Sequence, residues 1–364
     1  MSQKVTTLGL GLIGPGTVGS VLLEQIETHA HKLIEKYAID IRVYAIANSR
    51  KMVLGQEALQ LGSWKQQLDE SHTPVSLDRF GSHLKSLDTD HVAVVDCTAG
   101  DEAPALYSTW AAGGVHIVTP NKKFVSGPFP RYRDLTFIQK QSNAQFFYEG
   151  TVGAGLPVIS SLKTLLDTGD QIRTIEGVFS GTLSYIFNNL GATDSFADVV
   201  RSAQNAGYTE PDPRDDLSGM DVARKILILA RECGCEMELS DVATQSLVPE
   251  ALRDASISVE DFLDRLAEHS ADLDGEIKDA AKQGSVLRFV GKYDAVANKC
   301  EAVLRRFSSD HPFSNLSGTE NIVSFRTGRY DEPPLKVNGP GAGPDVTAAG
   351  VFGDIIQLIL RMKK

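Results

Sequence analysis

The sequence predicts an α/β chain, a Rossmann-type doubly wound parallel sheet followed by a second α+β domain. Three observations predict it. An apolar run over residues 5–13 meets the turn Gly14-Pro15-Gly16-Thr17-Val18-Gly19, and a helical pattern follows. Apolar strands then alternate with helical segments as far as Tyr148. At 364 residues the chain exceeds the size at which one hydrophobic core keeps growing, so about two domains are expected.

The elements follow in order. Residues 5–13 read as a buried strand, and a helix from residue 17 to about residue 30 places Val18, Val21, Leu22 and Ile26 on one face. Residues 41–47 and 91–96 supply further apolar strands, and a helical segment at 103–112 leads to a strand at 114–118. The texture changes after Phe146-Phe147-Tyr148, which bounds a nucleotide-binding domain at 1–150. Beyond it, a helix through residue 166 precedes strands at 172–179, 286–293, 300–307 and 321–326. Helices at 183–190, 195–206, 219–232 and 259–282 are interspersed, an α+β pattern that makes 151–337 a second domain. The segment 338–364 carries a second glycine-rich turn, Asn338 to Pro344, and a final helix. It is expected to return to the nucleotide-binding domain, with a plain hinge as the alternative.

Composition narrows the function classes. Net charge is −11 and the pI about 5.3, with no clustered Lys/Arg stripe, so nucleic acid is not expected as a partner. No uninterrupted apolar stretch reaches membrane-spanning length, and the glycines and Pro15 would break a signal-peptide helix, so a soluble, cytoplasmic protein is expected. Four cysteines, Cys97, Cys233, Cys235 and Cys300, show neither a disulfide rhythm nor zinc-ligand spacing.

The chemistry concentrates in a few segments. Gly14 permits the tight turn, Gly16 lets backbone approach a pyrophosphate, and Gly19 allows close helix packing, with the helix N-terminus at Thr17 and Val18 facing the phosphates. The second strand ends in Asn48-Ser49-Arg50-Lys51, without the acid that holds an NAD ribose. Arg50, helped by Lys51, therefore points to the 2′-phosphate of NADP, with NAD as the alternative. Thr119-Pro120-Asn121-Lys122-Lys123 follows a strand and puts Lys122 where ligands bind in such sheets.

The loop from Gly207 to Gly219 crowds Glu210, Asp212, Asp215 and Asp216, an arrangement that a substrate ammonium would relieve, although one of Asp215 and Asp216 is expected to cap the following helix. On that helix Asp221 and Lys225 stand four apart. The plain reading is a surface ion pair. The apolar neighbours Val222, Ile228 and Leu229 argue instead for a desolvated amine suited to proton transfer. Ser180-Gly181-Thr182 reads equally as a helix cap and as a carboxylate-binding helix start.

Taken together, Gly14 to Gly19, Thr119 to Lys123, Glu149 to Pro157, Phe179 to Asn188, Gly207 to Lys225 and Gly339 to Gly350 resemble homoserine dehydrogenase along nearly the whole chain. The resemblance implies NAD(P)-dependent interconversion of L-aspartate 4-semialdehyde and L-homoserine, on the route to threonine, methionine and isoleucine. It implies Lys225 as acid/base and Lys122 as a second active-site lysine. Glu210, Asp221, Gly181, Thr182, Tyr208 and Asp216 would contact substrate, and Thr98, Lys122 and Gly341 would join the cofactor site. Glu149 with the carbonyls of Val152, Ala154 and Leu156 matches a site for a monovalent cation such as sodium. A homodimer is implied as well, with 151–337 as the substrate-binding and dimerisation domain. The chain ends about 14 residues after Gly350, which leaves no room for the C-terminal regulatory domain some members carry.

Two rivals remain open on sequence. A phosphorylating semialdehyde dehydrogenase would need an activated cysteine, for which Cys97 is the one candidate. A non-catalytic NADP-binding regulator would leave the carboxylate loop and Lys225 without a purpose.

Overall fold

The computed structural model describes residues 4–191 and 195–362. In chain order the first elements are β1 (Thr6–Ile13), α1 (Thr17–Tyr37), β2 (Ile39–Ala47), β3 (Met52–Leu54), α2 (Trp64–Glu70), α3 (Leu77–Lys85), β4 (His91–Asp96), α4 (Tyr107–Ala112), β5 (His116–Val118), α5 (Phe129–Ser142) and β6 (Phe146–Phe147). There follow α6 (Val158–Asp167), β7 (Ile172–Val178), α7 (Gly181–Asn189), α8 (Phe196–Asn205), α9 (Pro213–Leu217), α10 (Met220–Glu232) and β8 (Ala243–Thr244). The chain closes with α11 (Val259–His269), α12 (Ala271–Lys282), β9 (Ser285–Asp294), β10 (Lys299–Ser308), β11 (Glu320–Thr327), β12 (Leu335–Pro340) and α13 (Pro344–Met362). Two compact units result, one running through Gly155 and resuming at Gly343, the other spanning Leu156–Ala342.

The first unit is built on a six-stranded sheet in the order β3-β2-β1-β4-β5-β6, parallel except for β3. The strand order reverses between β1 and β4, and such a switch point opens a crevice at the carboxyl ends of those strands. Helices cover the sheet, so β1 is buried along most of its length and reads as a continuous apolar run rather than an alternating one. Its glycines are there for space: a Cβ on Gly11 would lie 2.6 Å from the Phe80 ring of α3. The core joins Leu8, Leu10 and Leu12 to Leu22, Leu23 and Ile26 of α1 and to Val351, Ile355 and Leu358 of α13. The last helix thus belongs to this unit, packed so tightly on the loop after β6 that a Cβ on Gly155 would sit 2.2 Å from the Val346 carbonyl.

The second unit carries a sheet in the order β12-β11-β7-β9-β10-β8, antiparallel apart from the short β8 edge. Gly177 of β7 pairs with Gly291 of β9, and the bare patch these two leave is filled by the Phe179 ring, 2.9 Å and 3.0 Å from their would-be Cβ atoms. Helix α10, buried from Lys225 through Arg231, packs on β9 and β10.

The sequence reading differs from the structure in five places. Helix α1 continues to Tyr37 because Leu33 extends its buried face. The 259–282 helix is two helices broken at Ser270. Half of the second glycine-rich turn is not a turn: residues 335–340 form β12, an edge strand paired with β11, which tolerates Pro340 and Gly339. Helices α2, α3 and α5 were not foreseen. Neither Asp215 nor Asp216 caps a following helix; Asp212 caps α9, and α10 begins at Gly219, whose left-handed φ of 75° replaces a side-chain cap.

Gly19 sets the separation of α1 from the turn, since a Cβ there would meet the Gly14 carbonyl at 2.3 Å. Gly19→Ala is expected to cost about 1–3 kcal/mol of stability through forced backbone displacement, read as a lowered midpoint in thermal denaturation.

Candidate active site

In the first unit the turn after β1 has a geometry suited to an anion. Gly14 has φ 81°, a conformation glycine adopts without strain, and a Cβ on it would press 2.9 Å from the Thr98 methyl. Gly16 differs: nothing lies within 4 Å of its would-be Cβ, so that face of the backbone is open to a ligand. As N-cap of α1 it brings no side chain to the first N–H groups, and the first turn of α1, which begins at Thr17 and Val18, carries no acid. Uncapped donors at a helix start suit a pyrophosphate. Thr98, across the switch point, has its N–H held by Asp96 Oδ1 at 2.8 Å.

Beyond β2, the Asn48 side chain accepts the N–H groups of Arg50 and Lys51 at 2.8 and 2.9 Å, an Asx-type turn that shapes the loop. Ser49 and Arg50 are exposed. The Lys51 ammonium donates 2.7 Å to the Asp69 carbonyl and lies 3.4 Å from its carboxylate.

Asp96, fully buried at the end of β4, ties the neighbouring loops together. It accepts the Tyr107 hydroxyl at 2.6 Å and the Asn121 amide at 3.3 Å, while Asn121 also donates 2.8 Å to the Gly100 carbonyl. Burial pushes the Asp96 carboxyl up and the hydrogen bonds oppose it. The loop Thr119–Lys123, with Lys122 in it, is thereby fixed to the Thr98–Gly100 loop. Burial and the neighbouring Asp96 push the Cys97 thiol up, the opposite of the shift that the rival cysteine-nucleophile reading calls for. All four cysteines are free thiols.

In the second unit Lys225 is 7% exposed. Its ammonium donates 2.7 Å to the Phe179 carbonyl and lies 2.8 Å from Asp221 Oδ2. The pair is not the surface ion pair of the plain reading. Nor is it a merely apolar pocket, because a carboxylate and a carbonyl meet the ammonium there. Burial disfavours its charge while both acceptors favour it. The Asp221 side chain keeps 38% of its surface exposed.

The carboxylate loop is organised rather than repulsive. Arg214 clamps Asp212 at 2.7 to 3.0 Å, and it holds that carboxyl below the usual range. Asp216 Oδ2 accepts the Glu210 N–H at 2.8 Å, and burial raises its carboxyl. Thr182, in the first turn of α7 after Gly181, donates 2.7 Å to the Tyr208 carbonyl, and the Tyr208 ring stacks 4.3 Å from Tyr185. Glu210 is exposed. Gly181, Thr182, Tyr208, Glu210 and Asp216 therefore form one connected loop-and-helix assembly.

Glu149, Val152 and Ala154 lie in the first unit and Leu156 opens the second. The Glu149 N–H donates 2.8 Å to Asp354 of α13, and Ala154 holds a positive φ of 55°. Among the described residues no cluster of three or more His, Cys, Asp or Glu side chains suits a metal ion. Gly341 packs on the fully buried Asn321, 1.9 Å from its would-be Cβ. Asn321 and the Phe179 carbonyl were not singled out in the sequence; a polar residue opening the apolar strand Asn321-Ile322-Val323 was the available signal.

A family model described as homoserine dehydrogenase matches residues 157–356, and a second, described as homoserine dehydrogenase, NAD binding domain, matches residues 14–149. The chain belongs to the homoserine dehydrogenase family. It is 39% identical over 371 residues to homoserine dehydrogenase of Saccharomyces cerevisiae, covering 100% of each chain. It is 50% identical over 357 residues to bifunctional aspartokinase/homoserine dehydrogenase 1, chloroplastic, of Zea mays, covering 97% of this chain and 38% of that protein. The chain thus spans well under half the length of the bifunctional plant relatives it matches. A hyperthermophilic archaeal homoserine dehydrogenase in complex with NADPH shares the fold, with a TM-score of 0.75, 24% identity and 98% of each chain covered. No helix is long and apolar enough to cross a membrane among the described residues.

The Lys225–Asp221 pair is asymmetric in burial, so its two halves differ in what their loss costs. Asp221→Ala, which leaves a buried ammonium without that counter-ion, is expected to cost about 3 kcal/mol. Lys225→Met leaves the half-exposed carboxylate to water and is expected to cost less than about 1 kcal/mol, the two being compared by chemical denaturation.

Proposed function

We propose that this member of the family catalyses NADP(H)-dependent interconversion of L-aspartate 4-semialdehyde and L-homoserine, with Lys225 as the proton donor to the nascent alkoxide. The carrying observation is the buried ammonium aimed by Asp221 and the Phe179 carbonyl. Aldehyde reduction needs a hydride at carbon and a proton at oxygen, and bound NADPH supplies the former. Lys225 delivers the latter, and a fixed donor gains more in a water-poor site than in bulk. Lys122, in the loop that the Asp96–Asn121 network holds, is the second lysine of the site.

Substrate recognition falls to the loop assembly. Glu210 and Asp221 offer charge to the α-ammonium, while Gly181 and Thr182 at the start of α7, with Tyr208 and Asp216 behind them, offer donors and shape to the rest of the amino acid. The cofactor is assigned to Gly14, Gly16, Thr17, Val18 and Gly19 for the pyrophosphate, and Asn48, Ser49 and Arg50 for the 2′-phosphate. Thr98, Lys122 and Gly341 complete it. The open face of Gly16 and the exposed Arg50 support this assignment. Lys51 is set aside as a phosphate contact because Asp69 holds it. Glu149 with the carbonyls of Val152, Ala154 and Leu156 is a set of hard oxygen donors suited to sodium or another monovalent cation, although the Leu156 carbonyl already accepts the Val158 N–H at 2.8 Å. The chain is assigned a homodimer and a cytoplasmic location.

Lys225→Met is expected to lower kcat for homoserine oxidation by roughly 10²- to 10⁴-fold, followed as NADPH absorbance, with NADPH binding unchanged. Turnover near that of the unaltered protein would remove the lysine from the mechanism. Arg50→Ala is expected to raise KM for NADPH by roughly tenfold while leaving KM for NADH within about twofold, because only the former carries the phosphate. Equal effects on both would return Arg50 to the solvent.

A further inference from the structure

Two donors converge on one backbone carbonyl. Phe179 O accepts the Lys225 ammonium at 2.7 Å and, at 2.8 Å, the side-chain amide of Asn321. A carbonyl oxygen has two lone pairs, and these two donors fill them. Asn321 lies at the start of β11, far from Lys225 in sequence, and is fully buried. Its other amide atom, Oδ1, is buried with no hydrogen-bond partner, an arrangement native proteins rarely keep without a functional return. Reversing the amide would set Oδ1 against the Phe179 oxygen, so the carbonyl itself fixes the orientation. Gly341 completes the device: with its would-be Cβ 1.9 Å from the Asn321 side-chain carbon, any larger residue there would drive the amide out of place.

We propose that Asn321 is the positioning residue of the catalytic lysine, fixing the Phe179 carbonyl that aims the Lys225 ammonium, and that Gly341 is glycine in order to seat that amide. The inference rests on the reading of Lys225 as proton donor. The amide N–H has a second effect. It competes with the ammonium for one acceptor and turns its positive end toward the same oxygen, which disfavours the charged amine. Removing the amide therefore strengthens the hold of the carbonyl on the protonated form. The pH above which reduction fails for want of a proton should rise.

The test compares Asn321→Ala, Gly341→Ala and Lys225→Met in the full chain, with L-homoserine, L-aspartate 4-semialdehyde and NADPH as probes. Asn321→Ala should lower kcat roughly 10- to 100-fold, leave KM for NADPH within about twofold, and move the alkaline limb of kcat for reduction to higher pH. Gly341→Ala should reproduce the fall in kcat and the alkaline shift, whatever its effect on KM for NADPH, without altering a single polar group. A rise in KM for NADPH with kcat and its pH profile intact in Gly341→Ala would leave Gly341 a cofactor contact alone and overturn its part in the device. If Asn321→Ala loses only thermal stability, with kcat and its pH profile unchanged, Asn321 is structural and the inference falls. Should Asn321→Ala fail to fold, the pH profile of Gly341→Ala decides alone. Lys225→Met separates the two readings: if it retains turnover, the proton-donor assignment fails; if it loses turnover while both other variants keep theirs, only the positioning role fails.

Discussion

The second unit is organised around a buried ammonium. Taking Lys225 out of water is costly, and the offset comes from one carboxylate a helical turn away and one carbonyl supplied by a different element. Both acceptors are themselves held. Asp221 sits in the first turn of α10, where an acid is favoured by the helix dipole. The Phe179 carbonyl is set by its ring, which fills the trough over the paired glycines of β7 and β9. A pair of missing side chains in a sheet thus determines where a charged group on a helix points.

The acidic loop shows how like charges are made to coexist. Four carboxylates in seven residues would repel in an unstructured segment, yet each has a separate fate. Asp212 is neutralised by Arg214, whose guanidinium also lies over the Phe262 ring. Asp216 turns inward and takes a backbone N–H. Asp215 stays in the first turn of α9, where the dipole welcomes it. Glu210 is left exposed, so one loop satisfies three of its carboxylates internally and leaves the fourth to solvent.

Much of the site was legible because its chemistry is local in sequence. The glycine turn needs three glycines in six residues, and Asp221 and Lys225 need only helical spacing; both patterns survive without knowledge of tertiary structure. The same holds for the apolar strands at 91–96 and 172–178. What was not legible depends on distant partners. Helix α5 buries little besides Leu135, so it shows no amphipathic stripe. Strand β12 hides its pairing behind Gly339 and Pro340, residues that read as a turn until β11 lies beside them. The contact of Lys51 with Asp69 of α2 is likewise absent from any local pattern. Asn321 and Phe179 meet across 142 residues, a separation no local pattern encodes.

The first unit uses glycine for opposite ends. At Gly14, Gly19 and Gly155 the missing Cβ lets backbone press on backbone or on a neighbouring loop, and the interior gains density. At Gly16 the same absence leaves a surface bare, with no atom of the chain approaching. Close packing at Gly14 and Gly19 is what makes the open side at Gly16 useful, since a turn held rigid loses little entropy when an anion settles on it. A loose turn with the same open glycine would have to be ordered by the ligand, and part of the binding energy would go to that ordering.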